Sequence, residues 1–214
     1  MPTKTFDLQD VLKSGWENFK KAPVILIVLL LLGLVSSLLV NLIFAFLPAL
    51  LLSLLNSFAT SYFMLSTIKA VTALDKGETP EWGVLKNDFN LLIKFFVTSL
   101  ILSVIFIISA VLLIVPLFLA ITVFFPVPYL IVMRKDLSIV EIFKKSWEMT
   151  SPQFFPCFIF IIVACILILG GALLLGVGLL ITVPVVYTTG AIICNKLGAY
   201  DNPAQIPAPS VSAE

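Results

Sequence analysis

Hydrophobic residues in this chain form three long blocks without a charged residue, and charged residues are confined to the segments between and beyond them. The blocks run over residues 22–68, 95–133 and 149–195. A helix of roughly 40 to 47 residues would be about 60 to 70 Å long, twice the ~30 Å hydrocarbon thickness of a bilayer. Each block therefore predicts two membrane-spanning helices that fold back as a hairpin.

Proline and glycine indicate where each hairpin turns. The predicted turns lie at Phe46-Leu47-Pro48, at Val115-Pro116 and within residues 170–178. The fold class is thus an all-α polytopic membrane bundle of six helices arranged as three hairpins. The predicted spans are residues 23–44, 49–69, 91–115, 117–133, 155–174 and 177–196.

Basic residues predict the orientation of these spans. With six spans, all thirteen lysines and arginines lie on one side of the bilayer, together with the acidic residues. Lys69 and Lys94 fall at the ends of spans on that side, where their long side chains can reach the headgroups. The positive-inside rule assigns this side to the cytoplasm, so both termini are expected there.

Two similar amphipathic segments, which we call elbows, precede the first and third blocks. They read D-L-Q-D-V-L-K-S-G-W-E from Asp7 and S-I-V-E-I-F-K-K-S-W-E from Ser138. Asp7 with Asp10, and Ser138 with Glu141, have the spacing of a capping box, which predicts a helix start at the same offset before each tryptophan. Apolar or small residues form one face of each helix, with lysines opposite, so each elbow is expected to lie in the headgroup plane. The members of these faces are Val11, Leu12, Gly15, Trp16 and Phe19, and Ile139, Ile142, Phe143, Ser146 and Trp147.

A weaker third copy, T-P-E-W-G-V-L-K-N-D-F, lies between the first two hairpins. Thr79 would cap it, Pro80 suits its first turn, and Phe89 takes the place of the tryptophan. The chain therefore reads as one domain, residues 1–198, of three elbow-plus-hairpin units at 6–70, 79–133 and 137–197. Any lysine-rich interfacial helix would have a similar pattern, so internal duplication stays a hypothesis. Residues 199–214, rich in proline, alanine and serine, predict a disordered cytoplasmic tail.

Composition excludes most kinds of chemistry. With 60% hydrophobic and 12% charged residues the chain is predicted to be an integral membrane protein, and a net charge of +1 argues against binding to nucleic acid. There is no histidine, and Cys157, Cys165 and Cys194 have no CxxC spacing, which argues against zinc, disulfides and Ser-His hydrolysis. No phosphate-binding or dinucleotide-binding motif occurs, so no cofactor, metal site or catalytic set is predicted. The absence of acidic residues inside the spans disfavours ion-coupled transport through buried carboxylates.

Three groups of residues are candidates for helix packing or a cavity. The second span carries a polar face, which either packs against a neighbour, with Ser99 and Ser103 as its partner surface, or lines a polar cavity. Pro126 and Pro128 remove two backbone donors and predict a kink that leaves carbonyls near Thr122 and Phe124 without partners; the kink either shapes the bundle or forms a binding site. Gly176 and Gly178 are expected to allow a tight turn and close helix packing. The polar face consists of Ser53, Asn56, Ser57, Thr60 and Ser61.

The elbows supply the candidate contact surface. Their basic residues suit attraction to anionic headgroups, worth about 1 kcal/mol each. Membrane anchoring is one interpretation, and docking of another membrane protein is the alternative. The candidates are Trp16, Lys13, Trp147, Lys144, Lys145, Arg134 and Lys135.

The segment from Tyr129 to Leu197 resembles a broad group of bacterial six-helix inner-membrane proteins of unknown function. The residues that carry this resemblance are Ser146-Trp147-Glu148 and G-V-G-L-L-I-T-V-P, Gly176 to Pro184. That group includes the membrane domain fused to some glycerophosphodiester phosphodiesterases. The resemblance implies location and architecture and transfers no catalytic residue, since the phosphodiesterase activity of fused relatives belongs to a separate soluble barrel.

Two functional hypotheses follow, and the sequence does not indicate a specific activity. The first is a non-enzymatic inner-membrane scaffold or assembly partner that contacts lipids and other membrane proteins. The alternative is a carrier or export channel for a lipid-like or hydrophobic small molecule, held in a cavity between the kinked fourth span and the polar face of the second.

Overall fold

The computed structural model describes residues 7–45, 47–112, 114–173 and 177–199, and these residues are helical or in short connections. The helices are α1 Leu8–Lys21, α2 Pro23–Ile43, α3 Ala49–Asp75, α4 Phe89–Leu112, α5 Ile114–Phe124, α6 Val127–Met133, α7 Ile139–Thr150, α8 Phe154–Leu173 and α9 Leu179–Lys196. Two 3₁₀ turns, Trp82–Leu85 and Ser151–Gln153, connect α3 to α4 and α7 to α8.

Within the described residues, six helical segments are long and apolar enough to cross a bilayer, which confirms the prediction of an all-helical, multi-pass membrane protein. Their outward faces carry large exposed apolar side chains, among them Leu42 at 77% and Leu173 at 85% of full exposure. Exposing such a surface to water is unfavourable, whereas contact with lipid tails avoids that cost. Burial is uneven. Half of the residues of α9 are buried within the protein, compared with only 17% of the residues in the most apolar stretch of α2.

Two predicted boundaries are wrong. The second span continues to Asp75 instead of ending at Lys69, so Lys69 lies inside α3 and is not at a span terminus. α4 ends at Leu112 and α5 begins at Ile114, so Pro116 lies within α5 and the change of helix comes before the predicted turn. A proline in the first turn of a helix needs no backbone N–H there, and α5 therefore tolerates Pro116. The last predicted turn is described only in part, because Gly176 lies outside the described residues.

The fourth span is broken at its prolines, as the sequence predicts: α5 ends at Phe124 and α6 begins at Val127. Pro126 and Pro128 cannot donate to carbonyls one turn earlier, which frees backbone acceptors at the break. The neighbouring α7 binds the backbone between the two freed carbonyls, which are those of Thr122 and Phe124. The hydroxyls of Ser146 and Thr150 both donate to the carbonyl oxygen of Val123, at 2.7 and 3.4 Å.

The first and third elbows are helices with the predicted starts. The Asp7 carboxylate accepts from the Gln9 N–H at the start of α1, and Ser138 with Glu141 forms a reciprocal capping box at the start of α7. The two elbows connect differently to the helix that follows. Ala22, with φ −145° and ψ 55°, separates α1 from α2, whereas α7 leads into α8 through residues that keep helical dihedral angles.

The prediction of a helix capped by Thr79 in the middle elbow is wrong. The structure has only a 3₁₀ turn there, preceded by Glu81, and Phe89 begins α4. The backbone of this segment is bound by side chains of α3, because the Tyr62 hydroxyl donates to the carbonyl of Leu85 at 2.5 Å. A partner outside the segment replaces the bonds that a helix would have made within it.

Helix contacts follow a cyclic order. α3, α6 and α9 contact one another, and α2, α4 and α8 contact the helix that follows each of them. α4 also contacts α3, α8 contacts α5, and α2 contacts α9. The segment that precedes each hairpin packs in the same order. The 3₁₀ turn Trp82–Leu85 packs on α3, α7 packs on α5 and α6, and α1 packs on α9.

Candidate functional site

The predicted polar face of α3 divides into two parts. Ser61 is buried, and its hydroxyl lies 3.4 Å from that of Ser99 on α4. The other members lie nearer the start of α3: Ser53 and Thr60 are exposed, while Asn56 and Ser57 are half-buried. The amide oxygen of Asn56 is buried without a hydrogen-bond partner among the described residues.

A cavity of about 290 Å³ lies between α3, α4 and the broken fourth span, and we call it the break cavity. Pro128 and Val127 line it on one side, and Ser99 and Ser103 line it on α4. Of the α3 positions, Met64 lines it, while the predicted polar face does not. The structure therefore brings together the predicted α4 serines and the kinked span, and it leaves the face of Ser53 to Thr60 outside the cavity.

A second cavity of about 440 Å³, the α7 cavity, lies beside the first. It is lined by α4, α5, Trp147 of α7 and the start of α8. Phe124, the last residue of α5, lines both cavities. Its ring meets that of Phe143 on α7 edge-on, with centroids 5.5 Å apart. Residue 124 thus separates the two cavities and contacts the third elbow.

The elbow candidates lie on the outside of the bundle. Trp16 and Trp147 occupy equivalent positions of the two elbow segments and are 43% and 58% exposed, while Val11 and Ile142, also equivalent, are fully buried. Trp82, in the middle 3₁₀ turn, is 54% exposed. Lys13 and Lys144 are exposed and Lys145 is half-buried. The apolar face of each elbow helix thus enters the bundle without its tryptophan.

The side chain of Arg134 and the backbone carbonyl of Lys135 both have hydrogen-bond partners nearby. The Arg134 guanidinium donates to both carboxylate oxygens of Asp136, each at 3.0 Å. These bonds hold the pKa of Asp136 below its usual range. The carbonyl of Lys135 accepts from the Lys94 ammonium at 3.2 Å, and the carbonyl of Leu137 accepts from the same group. Lys94 therefore binds the α6–α7 loop instead of extending towards headgroups as predicted.

Asn87, which the sequence did not single out, anchors the middle segment to α3. Its amide nitrogen donates to the Ser66 hydroxyl at 3.0 Å and to the Tyr62 carbonyl at 3.3 Å, and its amide oxygen accepts from Lys69 at 2.7 Å. Tyr62, Ser66 and Lys69 share one face of α3, at intervals of four and three residues. That spacing, next to an asparagine in the following loop, is the only sequence signal that could have suggested this contact.

Replacing Asn87 with leucine is expected to lower the free energy of unfolding by about 1–3 kcal/mol, because part-buried donors and acceptors lose their partner. Titration of the purified protein with a denaturing detergent, followed by circular dichroism, would measure the change. Asn90→Leu is the matched control, since Asn90 is exposed at the start of α4. Equal stability of the two variants would contradict the anchoring role.

A second signal was missed in the inner helices. Pro126-Val127-Pro128-Tyr129 and Pro184-Val185-Val186-Tyr187 align. The Tyr129 hydroxyl donates to the Tyr187 carbonyl at 3.2 Å, which joins α6 to α9.

Among the described residues, no group of three or more histidine, cysteine, aspartate or glutamate side chains is placed to hold a metal ion. Comparison of the chain with protein-family models, curated proteins and solved structures finds no match.

Proposed function

We propose that this chain is a non-enzymatic, multi-pass protein of the bacterial inner membrane that binds a lipid-like or hydrophobic small molecule in the break cavity, as a carrier or export channel would. The observation that carries the proposal is the position of that cavity, between α4 and the proline break of the fourth span. Breaks in membrane helices form binding sites in many transporters. The lining is mostly apolar, which suits a hydrophobic ligand.

The orientation is proposed from the charged segments, which meet through three contacts. Asn195 donates to Asp75 at 2.8 Å, Lys69 to the carbonyl of Lys86 at 3.2 Å, and Lys94 to that of Lys135. These contacts support a single charged end of the bundle, and the positive-inside rule assigns it to the cytoplasm. The elbow helices would then lie at the cytoplasmic interface, where exposed tryptophans and lysines are favoured.

The cyclic order of contacts supports three repeated units of elbow plus hairpin. In each unit the elbow and the first span pack on the last span of the preceding unit, and the first unit packs on the third in the same way. A chain of unrelated hairpins has no reason to close with this order. The membership of the chain in the six-helix inner-membrane group stays a proposal that rests on Ser146-Trp147-Glu148 and Gly176 to Pro184.

Both described cavities lie on the middle hairpin, α4 with α5. This unit has a 3₁₀ turn in place of an elbow helix, and its second span is broken. A departure of one unit from its two counterparts is expected where a ligand is bound, since function commonly overrides the packing that the other units retain.

Blocking the break cavity tests the proposal. Ser103→Phe would place a phenyl ring in the cavity, whereas Ile107→Phe places the same ring at an exposed position of α4 that does not line it. We expect purified Ile107→Phe to retain its co-purified lipid and Ser103→Phe to retain at least about tenfold less, equivalent to about 1.4 kcal/mol. Lipid extraction and mass spectrometry would give the ratio of lipid to protein.

Equal lipid content in both variants would contradict binding in the break cavity. A scaffold role would then be the better proposal, and one observation favours it. All three tryptophans of the chain are exposed, and they lie on the segments that precede the hairpins: Trp16, Trp82 and Trp147. Tryptophan is enriched at the centres of protein interfaces as well as at membrane surfaces.

A further inference from the structure

Three hydroxyl groups of α4 line the break cavity: those of Thr98, Ser99 and Ser103. The proton of each is already donated to a backbone carbonyl of the same helix. Thr98 donates to Lys94 at 2.7 Å, Ser99 to Phe96 at 2.7 Å, and Ser103 to Ser99 at 2.9 Å.

A serine or threonine hydroxyl has one proton and two acceptor lone pairs. With the protons engaged, these hydroxyls retain only lone pairs for a ligand. Ser61, 3.4 Å from the Ser99 oxygen, can donate to it and occupies one lone pair, which leaves Ser99 one and Ser103 two. The polar part of the cavity is therefore a set of hydrogen-bond acceptors.

The cavity offers no charge to a ligand. None of the described residues that line it is acidic or basic. Lys94, one turn before Thr98 on α4, has its ammonium on the carbonyls of Lys135 and Leu137 in the α6–α7 loop. A phosphate or carboxylate inside the cavity would meet acceptor oxygens and apolar carbon, and its desolvation would go uncompensated.

The volume limits the ligand as well. About 290 Å³ is at the lower end of the range for small-molecule sites, which begins near 300 Å³. A cavity of this size has room for part of one hydrocarbon chain and not for two chains side by side.

We infer that the ligand of the break cavity is a neutral, single-chain lipid alcohol, whose hydroxyl donates its proton to Ser103 or Ser99 while its chain packs among Phe95, Leu102 and Phe106. This inference rests on the proposed function and gives it a ligand class. It excludes phospholipids, fatty acids and lipid phosphates as ligands of this cavity. A plain hydrocarbon satisfies the volume and leaves the acceptors unused, so it binds more weakly than the alcohol.

Competition photolabelling tests the inference with the full chain in nanodiscs of zwitterionic phospholipid. The probe is tetradecanol with a diazirine on its chain, and the competitors are tetradecanol, tetradecyl methyl ether and tetradecyl phosphate. The ether keeps the oxygen and loses the proton, so it should compete roughly 2- to 10-fold less well than the alcohol, the ratio expected for one hydrogen bond. The phosphate should compete less well than either.

The variant Ser99→Ala/Ser103→Ala should abolish the preference for the alcohol over the ether and leave labelling of α4 peptides in place. Ser109→Ala is the control, because Ser109 is on the same helix and lines the α7 cavity instead. Two results overturn the inference and leave the proposed function standing. One is equal competition by the alcohol and the ether in the unmodified protein, and the other is stronger competition by the phosphate than by either. The absence of any saturable labelling on α4 overturns both.

Discussion

Gly178→Ala is expected to be the most destabilising glycine-to-alanine substitution among the described glycines, lowering the free energy of unfolding by about 3 kcal/mol. A Cβ at Gly178 would lie 2.6 Å from the carbonyl oxygen and 2.7 Å from the Cα of Gly171. Both are backbone atoms, so no side-chain rotation relieves the contact. α8 and α9 would have to separate where the chain passes from one to the other, and overpacking of this kind costs about 1–3 kcal/mol or more.

Gly170→Ala is the matched control for this prediction. Gly170 precedes Gly171 in α8, and a Cβ there meets no heavy atom within 4 Å. Because alanine is favoured over glycine in a helix by about 0.5–1 kcal/mol, this variant should be neutral or slightly more stable. The two variants should thus differ in sign when unfolded by denaturing detergent. Similar unfolding free energies would show that the close approach of α8 to α9 does not hold the bundle together.

Gly15→Ala is expected to detach α1 from α9 at a cost of about 1–3 kcal/mol. A Cβ at Gly15 would lie 2.1 Å from the hydroxyl oxygen and 3.1 Å from the Cα of Thr189. That hydroxyl donates to the carbonyl of Val185 at 2.8 Å, so it cannot move aside without losing a buried hydrogen bond. The contact of Gly15 with Thr188 is also lost, where the Thr188 hydroxyl donates to the Gly15 carbonyl at 2.9 Å.

A double-mutant cycle separates this steric effect from a general loss of stability. Thr189→Ala removes the hydroxyl that the new methyl group would meet, so Gly15→Ala should cost less in that background than in the unmodified protein. A coupling of at least about 0.5 kcal/mol is expected for residues in contact. Strictly additive unfolding free energies would contradict direct packing of residue 15 on residue 189. Limited proteolysis at the lysines of α1 would report its detachment independently.

Features that depend on a single segment of the chain, or on the thickness of the bilayer, were predictable from the sequence. The six spans follow from the three uncharged blocks, because a bilayer requires helices of about 20 apolar residues. The helix starts at Asp7 and Ser138 follow from side chains that bond within their own segment. The break at Pro126 and Pro128 follows from the missing backbone donors.

Features that depend on a distant partner were not predictable. Lys69 lies inside α3, and its ammonium donates to the Asn87 side chain and the Lys86 carbonyl, which both lie beyond the helix. The middle segment forms a 3₁₀ turn and no α-helix, because Tyr62 of α3 binds its backbone. The break cavity depends on how α4 packs against α5 and α6, and that arrangement is fixed by no single segment. Within the predicted polar face, Ser61 contacts Ser99 of α4.

The predicted tail is also shorter than expected at its start. Ala199 is fully buried, and its N–H donates to the Cys194 carbonyl at 3.1 Å. The last helical turn of α9 therefore continues into a packed cap, whereas residues 200–214 lie outside the described residues.

The cyclic docking of the units has a consequence for biosynthesis. The hydrogen bond between Thr188 and Gly15 joins residues 173 positions apart in the chain. At 5–20 residues per second, the ribosome needs roughly 10 to 35 s to produce the partner of α1 after α1 itself has emerged. During that time Val11 and Gly15, the residues of the α1 face that pack on α9, lack that partner. The packing of α1 is therefore complete only when the last span has been made.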